Sequence, residues 1–362
     1  MSRQVSYRYE LLNKDNLKIG DLDMIRGSID CKTDAKIKKS GSFEISESRF
    51  KDIDYLNDRI CPYIVIDDVS YPLGVFLISG KDRQKKHGAI YRNIEAFDLT
   101  QILLEDKITD RFYVQKGSSY YIIIKQLIES ANIFNTQIVY TDLKVQRDRE
   151  FELGTPKIDI INALLEEINY TSVYVDERGF VSAKPYIIPT LREIQHEYIV
   201  GKNIKIQKDS LKEEMDIFDI PNVFVGVVSN SEQETLTAKY VNDDPTSPLS
   251  TVNRNRNIVE VINVDDIANN KVLDGYIKRV AYEKSNAYSN VDFETLNEPG
   301  HSFGDCIYIK DDNFNLGHKY IETSWSMQLK AGATMHHSAR RIVILWIKWQ
   351  KLLAFLKTEP QK

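Results

Sequence analysis

Apolar and polar residues alternate in two short runs near the amino terminus, residues 27–32 and 40–45, which a lysine-rich connector joins. Successive side chains of an extended strand point to opposite faces, so Ile29 and Cys31 share one face of the first run. Phe43 and Ile45 share one face of the second. Such alternation is typical of a half-buried antiparallel pair. The sequence therefore predicts a β-hairpin here, and we expect it to begin a small barrel.

Further strand patterns continue to about residue 93 and return after residue 200. They comprise residues 63–66, 71–78, 89–96, 203–207, 222–228, 287–296 and 306–309. Asp67 and Asp68 are turn-forming residues and predict the tip of the hairpin between the first two of these strands. The polar and mostly basic residues 81–88 predict a solvated turn rather than a binding patch.

Two apolar stripes with helical spacing interrupt the strand pattern between residues 110 and 190. The first follows Ser118 and Ser119, either of which is a suitable helix cap, and the second follows Pro156, which suits a first helical turn. The stripes consist of Tyr121, Ile124, Leu127, Ile128 and Ala131, and of Ile158, Ile161, Leu164, Leu165 and Ile168. A hairpin with Gly179 at its tip follows them. The block 110–190 is therefore predicted to be a small α/β insertion domain.

The last third of the chain begins after a loop with two prolines at residues 242–248, which indicates a domain boundary near residue 240. Helical spacing follows over residues 265–285. Between residues 340 and 357 an apolar stripe faces a lysine-bearing side, and the segment is predicted to be a basic amphipathic helix. Its apolar positions are Ile342, Leu345, Trp346, Trp349, Leu352, Leu353 and Leu356.

Composition narrows the class of protein. A chain of 362 residues is long enough for two to four domains, and 20 Tyr against 3 Trp, with frequent β-branched residues, favours sheets. The sequence thus predicts a β-rich α+β protein. A net charge of −5 argues against a general nucleic-acid binder, because phosphate contacts need clustered basic residues.

The three cysteines and the hydropathy of the chain indicate the cellular compartment in which the protein is made. Cys31, Cys61 and Cys306 are too widely separated to indicate a disulfide framework or a closed zinc site, so synthesis in a reducing cytoplasm is expected. The first residues lack an apolar signal-peptide core. No run of about 18 apolar residues is present to span a bilayer, and we expect no membrane partner.

One local group resembles a Cys/His catalytic or metal site: His301, Asp305, Cys306 and His318. A reactive thiolate needs a helix amino terminus or a cationic neighbour, whereas Cys306 lies in an alternating apolar strand. Cys306 is therefore interpreted as a structural thiol.

The pair His336 and His337 has no carboxylate or thiol ligands nearby in the sequence, so metal binding there is not expected. Glu166 and Glu167 are interpreted as part of a solvated helix face. The chain has neither a glycine-rich phosphate loop nor a His-Glu-x-x-His helix. We expect no catalytic, cofactor-binding or metal-binding residue, and no cofactor.

The order of these parts resembles the tail hub family of tailed bacteriophages, which includes trimeric baseplate hubs and the front ends of tail-associated proteins. The resemblance spans roughly residues 5–340 and depends on the order of its motifs. These are the strand Ser42-Phe43-Glu44-Ile45, the helix and hairpin of 164–183, Asp219-Ile220-Pro221-Asn222-Val223, and the helix of 265–285 followed by residues 296–309.

The resemblance implies two tube-like β-barrel domains with a small α/β insertion. The first barrel would span residues 1–109 and be completed by about 191–240, the insertion 110–190, and the second barrel 241–339. Three chains would then present six barrels, and such a homotrimer could join a sixfold tail tube to a threefold spike. The expected partners are the tail tube protein, a spike or tail-tip protein and other baseplate proteins, within a virion or phage-tail-like particle.

The amphipathic helix over residues 340–362 is not supplied by the family pattern. Its stripe could pack on its own domain or on threefold mates, dock to a spike or baseplate protein, or lie on a membrane surface. Our hypothesis is attachment of the distal spike or another tip component, with Trp346, Trp349 and Leu353 as interface candidates, since buried aromatics dominate many interfaces. Phe43 and Ile45 are interface candidates in the first hairpin, whose lysines, Lys32, Lys36, Lys38 and Lys39, are placed at the barrel rim.

Two other classes of function remain open at this point. A cell-wall hydrolase would use Cys306 and His318, and a cell-wall adhesin would use exposed tyrosines on its sheets. The expected protein is a non-enzymatic structural hub.

Overall fold

The computed structural model of the chain describes residues 4–46, 53–86, 89–187, 191–200, 206, 207, 209–215, 220–228, 236–264, 267–285, 289–314 and 316–341. Strands make up 47% and helices 16%, which confirms the predicted β-rich composition of the fold. The predicted amphipathic helix lies outside the described residues beyond Arg341. No helix in the described ranges is long and apolar enough to cross a membrane.

The described part of the first hundred residues forms eight strands, and the ladders among them are all antiparallel. They are β1 (Val5–Leu12), β2 (Lys18–Leu22), β3 (Met24–Lys32), β4 (Lys39–Ser46), β5 (Arg59–Ile66), β6 (Val69–Pro72), β7 (Phe76–Lys86) and β8 (Ala89–Asp98). The predicted first hairpin is confirmed as β3 and β4, with Ile29 opposite Gly41. Asp67 and Asp68 have φ angles of 47° and 66° between β5 and β6, as a two-residue hairpin turn requires.

The segment 81–88 differs from its prediction as a turn. β7 continues to Lys86 and pairs with β8 from Phe76↔Asp98 to Lys86↔Ala89, with a bulge between Gly80 and Asp82. Residues 82–85 are exposed, so both faces of this extension meet water. A strand with two solvated faces has no apolar alternation, which is why the sequence pattern did not reveal it.

Residues 100–187 contain three helices and five short strands, and the first helix precedes the predicted insertion of 110–190. They are α1 (Thr100–Glu105), β9 (Phe112–Val114), α2 (Tyr120–Glu129), β10 (Thr136–Ile138), β11 (Arg149–Phe151), α3 (Lys157–Glu167), β12 (Tyr174–Val175) and β13 (Val181–Ala183). The Ser119 hydroxyl accepts a hydrogen bond from the Ile122 amide, as its predicted cap role requires. Pro156 precedes α3, and β12 and β13 form the predicted hairpin around Gly179.

The described residues after 190 return to strands, with two further helices among them. The elements are β14 (His196–Ile199), β15 (Lys212–Met215), β16 (Val223–Val228), β17 (Leu236–Val241), α4 (Thr251–Arg254), β18 (Val259–Asn263), α5 (Asn270–Ser285), β19 (Ser289–Leu296), β20 (Cys306–Asp311), β21 (Leu316–Gln328) and β22 (Thr334–Arg341). One face of the small sheet β17–β16–β18 packs on α5, where Gly226 allows close approach of Ile277.

One large sheet contains both the strands β1–β8 and most of the described strands after residue 190. Its main order is β15–β19–β22–β21–β3–β4–β8–β7–β5–β1–β2, and the ladder of β21 with β3 places Trp325 opposite Cys31. A shared core follows, in which Ile29, Phe43 and Phe76 pack in one cluster with Trp325 and Met335. The described strands pair in a linear order that does not close into a ring. The two closed barrels therefore remain a proposal.

The described strands that return after residue 190 pair with strands of the carboxyl-terminal half of the chain. β14 pairs with β20, β15 with β19, and β16 with β17 and β18. Within the described ranges, β15 lies at the far edge of the large sheet that contains β1–β8, and completion of the first barrel by residues 191–240 stays a proposal. Burial of each strand against its neighbours decides such pairings, and the alternation within one strand does not specify its neighbour.

Candidate functional site: a buried histidine and carboxylate cluster

The interface candidates of the first hairpin lie inside the protein. Phe43 and Ile45 are 1% and 0% exposed, and the Phe43 ring packs edge-on against Tyr9 and Phe76. The chain itself already covers both side chains, and their role at a subunit interface stays a prediction. Trp346, Trp349 and Leu353 lie outside the described residues.

Three of the four lysines placed at the barrel rim are bound within the chain. Lys36 lies 2.6 Å from Asp159 and the buried Lys39 lies 2.8 Å from Glu177, both in the insertion. Lys38 donates to the carbonyl oxygens of Thr33 and Ala35. The connector of β3 and β4 is thus a docking point for the insertion.

Cys306 and His318 do not form a catalytic pair. In the ladder of β20 with β21, Cys306 is opposite Ile321 and Ile309 is opposite His318, so three residues separate the two positions along each strand. An odd separation places the two side chains on opposite faces of the sheet. Burial also raises the pKa of the Cys306 thiol, which keeps it protonated and weakly nucleophilic.

A different group of polar side chains converges inside the carboxyl-terminal strands. Glu322 of β21, His337 of β22 and His301 of the loop between β19 and β20 are 1%, 2% and 3% exposed. A bulge between Glu322 and Ser324 shifts the alternation of β21, so that both Glu322 and Trp325 are buried. Glu322 points inward in phase with the buried Tyr320, and the bulge after it brings Trp325 to the same side.

The two oxygens of Glu322 each contact one imidazole. His301 Nδ1 lies 2.8 Å from Oε2, and His337 Nδ1 lies 2.6 Å from Oε1. The opposite ring nitrogens also have partners, because His301 Nε2 lies 2.9 Å from the Tyr198 hydroxyl and His337 Nε2 lies 2.8 Å from Thr295 Oγ1. The result is a buried chain of five side chains in which each ring nitrogen has a partner.

Two further groups border this chain. The His196 ring stacks on His301 with ring centres 3.8 Å apart and an interplanar angle of 6°. His196 Nε2 lies 3.5 Å from Asp305 Oδ2, and the same carboxylate oxygen accepts a 2.7 Å hydrogen bond from the Ser302 amide. Asp305 thus fixes its own loop and faces the edge of the cluster.

Burial controls the protonation of the cluster. It lowers the pKa of His301 to about 3 and also lowers the pKa of His337, although hydrogen bonding to Glu322 opposes the second shift. Burial raises the pKa of Glu322, against the opposing effect of His337. Both imidazoles are therefore held neutral at neutral pH.

Sequence reasoning grouped His301 with Asp305 and considered His337 separately, and it missed Glu322, which contacts both histidines. No pair of carboxylate or thiol ligands lies near His337 in the sequence, and the one carboxylate that contacts it, Glu322, is 15 residues away along the chain. The neighbouring His336 is exposed and lies 3.2 Å from Glu294. The signal that could have indicated this cluster is a Glu or His at a strand position where the alternation predicts a buried side chain.

Comparison with solved structures finds the same architecture in phage tail proteins. The tail protein from Neisseria meningitidis MC58 is 12% identical, with a TM-score of 0.66 over 94% of this chain and 98% of that chain. The 43 kDa tail protein of prophage MuSo2 from Shewanella oneidensis is 9% identical, with a TM-score of 0.65 over 93% and 98%. The chain has the fold of phage tail proteins.

A third solved structure extends this likeness to a related machine. The E. coli c3393 protein is 8% identical, with a TM-score of 0.53 over 90% of this chain and 75% of that chain. It is described as a component of the type VI secretion system with structural similarity to the T4 bacteriophage tail proteins gp27 and gp5. No family model and no curated protein matches the sequence. The resemblance to tail hub proteins is thus confirmed for the fold.

Proposed function

We propose that this chain is a structural subunit at the tip or baseplate of the tail of a phage or phage-tail-like particle. The observation that carries the proposal is the likeness to a tail protein over 94% of this chain and 98% of the other, because a shared domain alone would cover less of both. The chain would act by binding its neighbours in the tail, without catalysis.

The finer hypothesis is a homotrimeric hub that adapts a sixfold tail tube to a threefold spike or tip. The strands of the large sheet form two groups, which the ladder of β3 with β21 joins. The first group is β1–β8, and the second is β14, β15 and β19–β22. If each group forms one tube wall, three chains supply six walls, which matches a hexameric ring. The tail tube protein would bind on one side and the spike and other baseplate proteins on the other.

The mass of the native particle tests this hypothesis. Native mass spectrometry of the full chain, alone and co-expressed with the tube protein of the same tail, should give three times the chain mass. Electron microscopy of the same sample should show rings with threefold symmetry. A monomer or dimer in both preparations would reject the hub, since the symmetry match requires three copies.

The carboxyl-terminal segment provides a second, separable test. Deleting residues 342–362, or replacing Trp346 and Trp349 with Ala, should preserve the trimer and abolish attachment of the spike or tip component. Complete particles assembled with the deleted chain would contradict this role and leave the hub itself intact.

An adhesin remains a second candidate because two aromatic side chains project from the insertion. Phe134 and Tyr140 are 72% and 70% exposed, and Tyr140 packs edge-on against Tyr121. Binding of the full chain to purified host cell walls, lost on replacing Phe134 and Tyr140 with Ser, would support this candidate. A hydrolase is disfavoured by the opposite faces of Cys306 and His318, and unchanged cell walls after incubation with the protein would agree.

A further inference from the structure

The cluster around Glu322 offers a set of ligands that suits a transition metal. Two imidazole nitrogens and one carboxylate are a common protein ligand set for zinc. The side chains of His301, Glu322 and His337 are each at most 1% exposed, and their ligand atoms lie within 4.8 Å of one another. Because three separate segments supply them, the folded sheet assembles this set before any ion arrives.

The orientation of the two rings agrees with joint coordination. An imidazole binds a metal in the plane of its ring, so the planes of two ligating rings must intersect at the ion. The planes of His301 and His337 meet at 51°, with ring centres 5.0 Å apart. A Zn–N distance of about 2.0–2.1 Å and a tetrahedral angle place the centres of two ligating rings about 5 Å apart.

The neighbouring set His196, His301 and Asp305 fails the same criterion. Its ligand atoms are also within 4.8 Å of one another, but the rings of His196 and His301 are almost parallel, at 6° and 3.8 Å. Two parallel stacked planes do not intersect at a common ion. His196 is thus a stacking neighbour of the site.

The far nitrogens of both rings have the oxygen partners that metal-ligating histidines usually have. His337 Nε2 faces Thr295 Oγ1, whose hydroxyl lies 2.8 Å from the Leu296 carbonyl oxygen. A hydroxyl that donates to Leu296 accepts from Nε2–H, which leaves Nδ1 with its lone pair toward Glu322. Tyr198 stands at the corresponding position for His301. Such outer partners fix the tautomer and orient the ring.

We infer that His301 Nδ1, His337 Nδ1 and the carboxylate of Glu322 form a structural binding site for one zinc ion. Ligand atoms of a tetrahedral zinc lie about 3.3 Å apart. The present distances of 2.8 and 2.6 Å therefore widen by roughly half an ångström when Glu322 withdraws and the ion replaces the shared protons. The ion would tie β21 and β22 to the loop before β20, and water or the second Glu322 oxygen would complete its coordination.

Metal analysis of the full chain tests the inference directly. Protein purified from zinc-supplemented cells should contain about one zinc per chain by mass spectrometry. Protein unfolded with a chelator and refolded should bind Zn²⁺ with a rise in Tm, and should bind Co²⁺ with the visible absorption of a tetrahedral site. These measurements use the unmodified chain, so they do not depend on whether a variant folds.

Matched variants locate the ion. Glu322→Gln and His337→Gln should weaken Zn²⁺ binding by more than about 100-fold, and Thr295→Val by about 10-fold, the scale of an outer-shell partner. His196→Gln and His318→Gln are controls that should leave binding unchanged. Zinc-free purified protein with no Co²⁺ absorption after refolding would overturn the inference, as would equal loss in His196→Gln. Neither result bears on the proposed tail function, which is tested by oligomeric mass.

Discussion

The Lys39 ammonium lies 2.8 Å from Glu177 Oε1, although 138 residues separate them along the chain. The Lys39 side chain is 1% exposed and the Glu177 side chain 23% exposed. The pair therefore joins β4 of the amino-terminal sheet to the turn between β12 and β13 of the insertion. Asp98 accepts a 2.8 Å hydrogen bond from the Lys39 amide and adds negative charge on the same side. A residue of the opening hairpin thus anchors the insertion.

Lys39→Met should destabilise the protein by about 3 kcal/mol, because it leaves Glu177 without its buried partner. Urea unfolding followed by tryptophan fluorescence measures the change. Lys36→Met is the matched control, since the pair of Lys36 and Asp159 is 50% and 37% exposed and is worth less than about 1 kcal/mol. Similar small losses in both variants would contradict a buried anchor at Lys39.

The same pair predicts a stability change at alkaline pH. Burial alone would lower the pKa of Lys39, but Glu177 and Asp98 outweigh it and raise the pKa above its usual value. A raised folded-state pKa stabilises the fold fully below the unfolded pKa of about 10.4, and this stability is lost as the pH rises through the folded pKa. Unfolding free energies measured across that range should therefore fall more steeply for the native chain than for Lys39→Met.

Gly179 should resist substitution for two reasons. Its φ of +88° is unfavourable for other residues, and a Cβ there would lie 2.7 Å from Val75 Cγ2. Gly179→Ala should therefore cost about 2–4 kcal/mol, combining strain with a clash. Gly154→Ala separates the two effects, because Gly154 has a φ of +83° but a Cβ there would have no atom within 4 Å. This substitution should cost only about 1–2 kcal/mol. Equal costs would show that the contact with Val75 is unimportant, as would failure of Val75→Ala to relieve Gly179→Ala.

The three thiols should react slowly with disulfide reagents in the folded protein. Burial raises the pKa of Cys31 to about 12 and of Cys61 to about 11, and it also raises the pKa of Cys306. Thiolate, the reactive form, is therefore scarce at pH 8. Labelling rates with and without denaturant, resolved by peptide mass spectrometry, check this. Rapid labelling of Cys306 in the folded chain would revive the hydrolase hypothesis.

Short-range patterns predicted much of the local structure. The alternation around Ile29 and Phe43 specified the β3–β4 hairpin, and Ser119 and Pro156 correctly marked two helix starts. These features depend on side-chain direction and on backbone groups a few residues apart, which the sequence displays directly. The polar extension of β7 was missed because its exposed residues impose no such pattern.

The sequence by itself determined a β-rich fold, the helices and hairpin of the insertion, and the order of parts that resembles tail hub proteins. Only the tertiary structure decided that β14 and β15 join the carboxyl-terminal strands, that Lys39 meets Glu177, and that Glu322 bridges two histidines. The physical reason is that pairing and burial depend on all neighbouring strands together. The bulge in β21 that places Trp325 on the same side as Glu322 arises from the pairing of β21 with its neighbours, and no local propensity records it.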